Sequence, residues 1–583
     1  MQCDRGKIVP LAPPPGTNLA EDGFLTALIP KLPGFGCVAG RFALNSLFGA
    51  LAGASITLAS FLSGVVAARM LGVGGAGAVA YAVWLALVIA PILDLGASQA
   101  VGRYVPEMRA RGEEVSAERL AGRLARLLAV SVLAAIALTA LVVAAWYLLA
   151  PSGLPQSAAD LLQVDEDASR PADTYAYWAL LGLYAAAQVF GTYVYSYVRG
   201  RQQFGYLFGL AGVSLGLQVA GVAAGSMAWG VYGALAGYFA GQVLPAIIAF
   251  RLMGHTGPLD DAVRSRLRRY ARYAWAANVA NVFVWSRMEI FFLERYSGSH
   301  DVGIFAAALA LANLAIQGPV LLTTATLPLL AEQRGRGDRE AMQAANETGT
   351  RLLAALVFPA CLGTAAIMPV LVPLIYGPAF AEAVPAAIVL VSAASFSAIT
   401  VVATNLVHAM ERSDFMFFTA VLGAVLSILS GFVLIPRFGL MGAAVSRVAI
   451  QTLMVTIGAW FIVARLKYSL PFASLMRLLF AAAISAGIAR FLVTWIAHPL
   501  ILVVAIPAAA VAYVVALRSF AALPLSDLVL LDHVCGALPA RAAQLVHGIL
   551  KFIGGPIMPR YERPVVNKTN LCAVSLQDEE NAR

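Results

Sequence analysis

Residues 127–150 read LLAVSVLAAIALTALVVAAWYLLA, 24 consecutive residues without a charge. At about 1.5 Å of rise per residue, such a run is long enough to cross the roughly 30 Å hydrocarbon core of a bilayer. Its flanks differ. The segment before it, Arg103 to Arg126, holds six arginines, while the one after it, Pro151 to Thr174, is acidic through Asp160, Asp165, Glu166, Asp167 and Asp173. Lys and Arg gather in cytoplasmic loops, so the first flank reads as inside and the second as outside. The whole chain of 583 residues is 60% hydrophobic and 12% charged, against about half and a quarter in soluble domains. An ordinary soluble domain is excluded.

Working outward from this span, the low-charge runs predict an all-α polytopic membrane protein of about fourteen helices. They fall at Phe42–Ala68, Ala78–Val101, Leu127–Ala150, Tyr175–Val198, Tyr206–Gly225, Gly230–Phe250, Tyr273–Glu294, Gly303–Leu330, Leu352–Ile375, Pro385–Met410, Phe415–Ile435, Leu440–Ala464, Leu478–Trp495 and Leu500–Leu517. The expected organisation is a cytoplasmic arm (1–41), six helices (42–250), a basic cytoplasmic linker (251–272), six more helices (273–464), two further helices (478–517) and a cytoplasmic tail (518–583). With the N-terminus inside, 33 of the 40 basic residues face the cytoplasm. The outside loops hold Arg69, Arg170, Arg295 and Arg437, and Arg287, Arg447 and Arg490 fall within spans. The net charge of +9 is thus mostly an orientation signal, not a sign of nucleic-acid binding, and both termini are expected inside. The arm, with Pro13–Pro15, Pro30 and Pro33, lacks the compact apolar core and cleavage site of a signal peptide. In the tail, Leu545, Ile549, Phe552 and Ile553 recur at helical spacing, as in a helix that lies on the membrane or packs against the protein.

The chain also repeats itself. Arg69, Gly72, Gly77, Ala80 and Ala82 are matched by Arg295, Gly298, Gly303, Ala306 and Ala308 at an offset of 226, and Glu107-x-Arg109-x-Arg111-Gly112-Glu113 by Glu332-x-Arg334-x-Arg336-Gly337-Asp338 at an offset of 225. Gly230, Gly233 and Ala234 correspond to Gly439, Gly442 and Ala443. Spans 1–6 and 7–12 therefore read as two pseudo-symmetric six-helix lobes. Six being even, both run in the same direction, a parallel repeat about an axis along the membrane normal, as in two-lobed transporters.

The run Ala68-Arg69-Met70-Leu71-Gly72 closing at Gly77, the runs Gly303-Ile304-Phe305-Ala306-Ala307-Ala308 and Leu374-Ile375-Tyr376-Gly377-Pro378-Ala379-Phe380, and above all Ile435-Pro436-Arg437-Phe438-Gly439-Leu440-Met441-Gly442-Ala443-Ala444 resemble the polysaccharide transporter family. That family belongs to the multidrug, oligosaccharidyl-lipid and polysaccharide exporter superfamily. The resemblance extends from about Phe42 to Leu517. It implies a flippase of the bacterial inner membrane that moves an undecaprenyl-pyrophosphate-linked oligosaccharide outward for O-antigen, capsule or exopolysaccharide assembly. Membrane lipids and other assembly proteins are the implied partners. The Asp- and Asn-Pro-rich segment that marks the sister lipid II flippases after their first helix is missing from Ala78–Glu107.

Ionisable groups at membrane depth are costly and mark candidate sites. In the seventh span Asn278, Asn281, Trp285 and Glu289 share one face at 100° per residue, while Arg287 points away. The repeat sets Phe61 and Ser63 opposite Arg287 and Glu289, so these charges break the pseudosymmetry. The resemblance also suggests an acidic residue in this helix. Glu289 is expected to face the cleft and bind or exchange a coupling cation, H+ or Na+. Arg287 is expected either to contact the pyrophosphate or to brace the helix; a buried salt bridge is the alternative for both. Arg447, in the twelfth span, could meet the pyrophosphate or an acidic sugar through its guanidinium fork, or pack against an acidic neighbour. Asp94 is read as pairing with the basic cluster that begins at Arg103, and Arg490 as snorkelling to headgroups.

No cofactor is expected. Cys3, Cys37, Cys361, Cys535 and Cys572 are too scattered for a disulfide framework or zinc site. Gly72-x-Gly74-x-x-Gly77 spells a dinucleotide fingerprint but has no strand before it. Gly233, Gly237 and Gly241 form a ridge for close helix packing. Two other functions stay open: a cation-coupled multidrug exporter of the same superfamily, and a membrane glycosyltransferase or polymerase, which would need a larger outside loop bearing its catalytic groups. An enzyme is therefore not expected.

Overall fold

The computed structural model describes residues 37–149, 175–255, 257–258, 261–285, 288–321, 323, 326–496, 498–535 and 540–555. The acidic loop, most of the N-terminal arm, Arg287 and the end of the tail lie outside the described residues. The chain divides into a unit of Met1–Leu44 with Glu562–Arg583, almost wholly outside the described residues, and a unit of Asn45–Tyr561 that holds everything below.

The regular structure of the described residues is helical. In the first half are α1 (Cys37–Leu93), α2 (Ala97–Ala110), α3 (Glu114–Leu149), α4 (Tyr175–Gly200) and α5 (Phe204–Leu252). The second half has α6 (Asp261–Trp285), α7 (Glu289–Tyr296), α8 (Ser299–Leu321), α9 (Thr326–Gly335), α10 (Arg339–Tyr376), α11 (Ala383–Ala409) and α12 (Ser413–Trp460). After these come α13 (Phe472–Trp495), α14 (Leu502–Ser519), α15 (Leu525–Cys535) and α16 (Ala540–Gly554). Among the described residues nine helices are long and apolar enough to cross a membrane.

Where the sequence suggests pairs of separate spans, α1, α5 and α12 each run on through 57, 49 and 48 residues. Straight helices of that length would measure about 70–85 Å, more than twice a hydrocarbon core. Each instead bends at a glycine in the left-handed region: Gly72 (φ 71°), Gly230 (φ 58°) and Gly439 (φ 50°). In α5 the two arms then pack closely along the predicted ridge. A Cβ on Gly225 would stand 2.1 Å from the carbonyl oxygen of Gly233, and one on Gly237 would stand 2.2 Å from the amide of Val222. In α12 the hydroxyls of Ser430 and Ser446 meet at 2.5 Å across the bend. What reads as a loop between two spans is a hairpin with almost no loop.

The positions matched in sequence carry matched local geometry. Gly230 has φ 58° and ψ −130°, and Gly439 has φ 50° and ψ −131°. Arg111 pairs with Glu107 at 2.6 Å and Arg336 with Glu332 at 2.5 Å, each four residues apart, and Gly112 and Gly337 both turn the chain at positive φ. The second expected span is interrupted between Leu93 and Ala97, and in the eighth the described Thr323 is a turn residue. At the break in the second span the carbonyls that lose their helical partners accept from the Trp275 indole (to Ile92, 2.9 Å) and the Ser131 hydroxyl (to Leu93, 2.6 Å). Asp94 sits in this break, and its carboxylate accepts from the Ser98 amide at 3.2 Å and from the Ser98 hydroxyl. That corrects the expected pairing with Arg103, which stacks on Tyr270 instead. The physical reason is the helix start itself, where unsatisfied amides of α2 draw the nearest carboxylate.

Two large cores follow the halves. One surrounds Leu120, Leu128 and Tyr193, and the other surrounds Phe305, Phe358 and Phe380 while reaching Ala68, Val73 and Trp84 of α1. The tail is tied to the second half: Asp527, 1% exposed, takes a forked pair from Arg351 at 2.7 and 3.1 Å. Helix α16 packs on α14 and buries Leu550, leaving Leu545 and Phe552 exposed.

Candidate functional site

Among the described residues of the seventh expected span, helix α6 ends at Trp285 and α7 starts at Glu289, after a turn at Met288. Asn278 is half-buried on α6. The side chains of Asn281 and Trp285, and Arg287 as a whole, lie outside the described residues. Glu289 stands in the first turn of α7, where free amides and the helix dipole favour a carboxylate.

Glu289 is buried, at 5% exposure. Helix α7 packs on α12, and this brings Arg447 Nη1 to 3.5 Å from each carboxylate oxygen of Glu289. Two candidates that the sequence offered separately thus form one pair. Inside a membrane protein each charge offsets much of the desolvation cost of the other, and removing one strands its partner. Phe292, one turn further along α7, fits against Gly431 and meets the Phe432 ring at 4.9 Å, fixing α7 on the α12 hairpin.

A cavity of about 230 Å³ opens between the two halves, with Ile290 but neither Glu289 nor Arg447 in its lining. Its wall includes Thr57, Ser60 and Trp84 from α1, Asn313 from α8, Tyr376 at the end of α10, and Ile290, the neighbour of Glu289. Small and aromatic side chains predominate, with a few hydroxyl and amide groups. Among the described residues, no group of three or more His, Cys, Asp or Glu could hold a metal ion.

Beside the cavity, near the bend of α1, the halves touch backbone to backbone. A Cβ on Gly77 would stand 1.7 Å from the Ser299 carbonyl oxygen, and one on Gly303 would stand 2.2 Å from the Val73 carbonyl oxygen. These two contacts exchange under the offset of 226, residue 73 with 299 and 77 with 303, as contacts across a local two-fold axis do. Arg69 adds a clasp, donating through Nε to the Ile375 carbonyl at 2.6 Å and through its terminal nitrogen to that of Leu374. Gly77, Gly303 and Arg69 stand out in the sequence as repeat positions. Their part in joining the halves does not, because it depends on two segments more than two hundred residues apart.

A family model described as polysaccharide biosynthesis protein matches residues 43–333, about half of the chain. Among solved structures the chain is similar to the lipid II flippase MurJ in an inward closed conformation, at 12% identity and TM-score 0.64, covering 81% of this chain and 98% of that one. It is also similar to a multidrug resistance MATE family transporter of the MOP superfamily in an inward-facing conformation, at 15% identity and TM-score 0.54, covering 71% of this chain and 94% of that one. Comparison with curated protein sequences finds no match. The family match covers just under half of the chain, and the likeness to the two solved transporters shows a shared all-α, multi-pass membrane fold.

Proposed function

We propose that the protein flips a polyprenyl-pyrophosphate-linked oligosaccharide from the cytoplasmic to the outer leaflet of the bacterial inner membrane by alternating access, supplying O-antigen, capsule or exopolysaccharide assembly. In this reading the chain has fourteen spans, both termini inside, and two parallel six-helix lobes followed by two helices. The observation that carries it is the cavity between the halves, bordered by a contact of two glycines and one arginine clasp. Sugar hydroxyls and phosphates cannot cross hydrocarbon unaided, so a polar path must take them while the polyprenyl tail stays in lipid.

The coupling step falls to the Glu289–Arg447 pair. A cation, H+ or Na+, replaces Arg447 at the carboxylate, and the freed guanidinium turns to the pyrophosphate. Asn278, Asn281, Trp285 and Arg287 extend the path along the same segment. The test is a strain lacking the gene. It is expected to lose surface polysaccharide and to accumulate lipid-linked repeat units on the cytoplasmic side, and Glu289→Gln is expected to restore less than about a tenth of the polysaccharide. Normal surface polysaccharide in the deletion strain, without a second gene of the same kind, rejects the flippase. Drug sensitivity in its place points to the exporter, and full rescue by Glu289→Gln removes the coupling role.

A further inference from the structure

Helix α16 in the tail has two apolar sides. At 100° per residue its side chains fall into three sectors. Ala543, Val546, Leu550 and Ile553 face the protein: Ala543 and Leu550 are buried, and Val546 and Ile553 pack against the core of the second half. Leu545, Ile549 and Phe552 form a second sector about 110° further round, and all three are exposed, Leu545 at 65%. Arg541, Gln544 and Lys551 make the third, also exposed. A helix packed on protein and otherwise in water needs only the first and third sectors. The added apolar sector, flanked by cations, is the pattern of a helix lying in a membrane interface.

The contacts of α16 place that sector at the membrane edge. Helix α14, long and apolar enough to span, exposes Val504, Val511 and Val515 on one face, and Arg518 follows on the same face three residues after Val515. The Arg518 guanidinium lies 4.6 Å from the centre of the Phe552 ring and donates to the Phe552 carbonyl at 2.9 Å. The exposed apolar sector of α16 therefore begins where the lipid-facing side of α14 ends. Helix α15, along which α16 folds back, is fixed at the same level: Asp527 takes its forked pair from Arg351, the residue before the expected span Leu352–Ile375, and Asp532 meets His547 of α16 at 2.9 Å. Helix α16 itself contains no acidic residue.

We infer that α16 lies in the leaflet on the tail's side, with Leu545, Ile549 and Phe552 among the upper acyl chains and Arg518, Arg541 and Lys551 on anionic phospholipid headgroups. Lipid is the occupant because the sector continues a lipid-facing surface and the charges around it are positive. The contact belongs to the second half and holds whatever the cargo is. Its test uses the unaltered full chain in nanodiscs of mixed phosphatidylcholine and phosphatidylglycerol, doped with phosphatidylglycerol that carries a diazirine near the top of one acyl chain. After illumination and proteolysis, adducts are located by mass spectrometry. Leu545, Ile549 and Phe552 are expected to react within about threefold of Val511 and Val515, and Gln544 at least about tenfold less. Arg541→Gln combined with Lys551→Gln is expected to lower the α16 yield at least about threefold with this probe, but not with a diazirine phosphatidylcholine, and to leave Val511 and Val515 unchanged. Adducts on Val511 and Val515 with none in residues 540–554 overturn the inference. A chain that then also runs at twice its mass, and at its single mass with Leu545→Glu, assigns the sector to a second copy instead. Equal α16 yields from the two probes, unmoved by the double variant, overturn the anionic headgroup contact.

Discussion

The two halves use the same backbone punctuation and fill their interiors with different chemistry. Gly230 and Gly439 bend their hairpins with nearly the same torsions, and the Glu107–Arg111 and Glu332–Arg336 pairs recur at the same offset. Yet the first half encloses uncharged amides, Gln188, Gln218 and Gln242, whereas the second encloses the Glu289–Arg447 ion pair. Turns and breaks set how the helices stack and admit few residue types, so they stay alike. Interior polar groups are free to diverge, so one half carries these three glutamines where the other carries an ion pair.

The comparison can be broken most forcefully at the hairpins. Gly233→Val places a side chain where even a Cβ would stand 1.9 Å from the Gly225 carbonyl oxygen, with backbone on the far side. Folded protein is expected to vanish in size-exclusion profiles of a fluorescent fusion. Gly442→Val, 2.4 Å from the Leu434 carbonyl oxygen by the same measure, is expected to reduce the yield severely as well. Normal yield from either would mean that the arms do not pack as described.

A smaller loss, about 3–5 kcal/mol, is expected for Arg447→Leu, which leaves Glu289 buried without its partner. Thermal unfolding in detergent checks it. Adding Glu289→Leu is expected to recover most of the stability and none of the transport, which separates the pair's structural part from its coupling part. Gly77→Ala and Gly303→Ala, whose Cβ atoms would stand 1.7 and 2.2 Å from carbonyl oxygens of the other half, are expected to push the halves apart at that joint. Because their contacts exchange under the repeat, the two are expected to match, and each is expected to raise labelling of a cysteine introduced at Ala307 by a membrane-impermeant maleimide added outside. Unequal effects would break the symmetric reading of that contact. The smallest effects belong to Arg111→Ala and Arg336→Ala, exposed pairs worth about 0.3–0.5 kcal/mol each, with barely measurable shifts in Tm.

Helical membrane architecture was legible from the charge-free runs, and the repeat from charged residues at fixed offsets. Sequence could also show that Gly233, Gly237 and Gly241 make a packing ridge, since small residues at that spacing have few other uses. It did not show that the partner ridge is the preceding arm of the same helix. Nor did it reveal the break at Asp94, because Leu95 and Gly96 are unremarkable in an apolar run and the stabilising donors, Trp275 and Ser131, come from other helices. Glu289 and Arg447 were each visible as charges at membrane depth, but 158 residues separate them and only folding pairs them. The glutamines of the first half were overlooked because they carry no charge. An uncharged amide in each of three consecutive apolar spans was the available signal.

The hairpin bends also bear on how the chain enters the membrane. A helix pair joined by one left-handed glycine leaves no hydrophilic stretch to thread across the bilayer, so both arms of α1, α5 and α12 can insert together as single wedges. Reporter tags placed at Gly230 or Gly439 would then force a loop into a joint built without one.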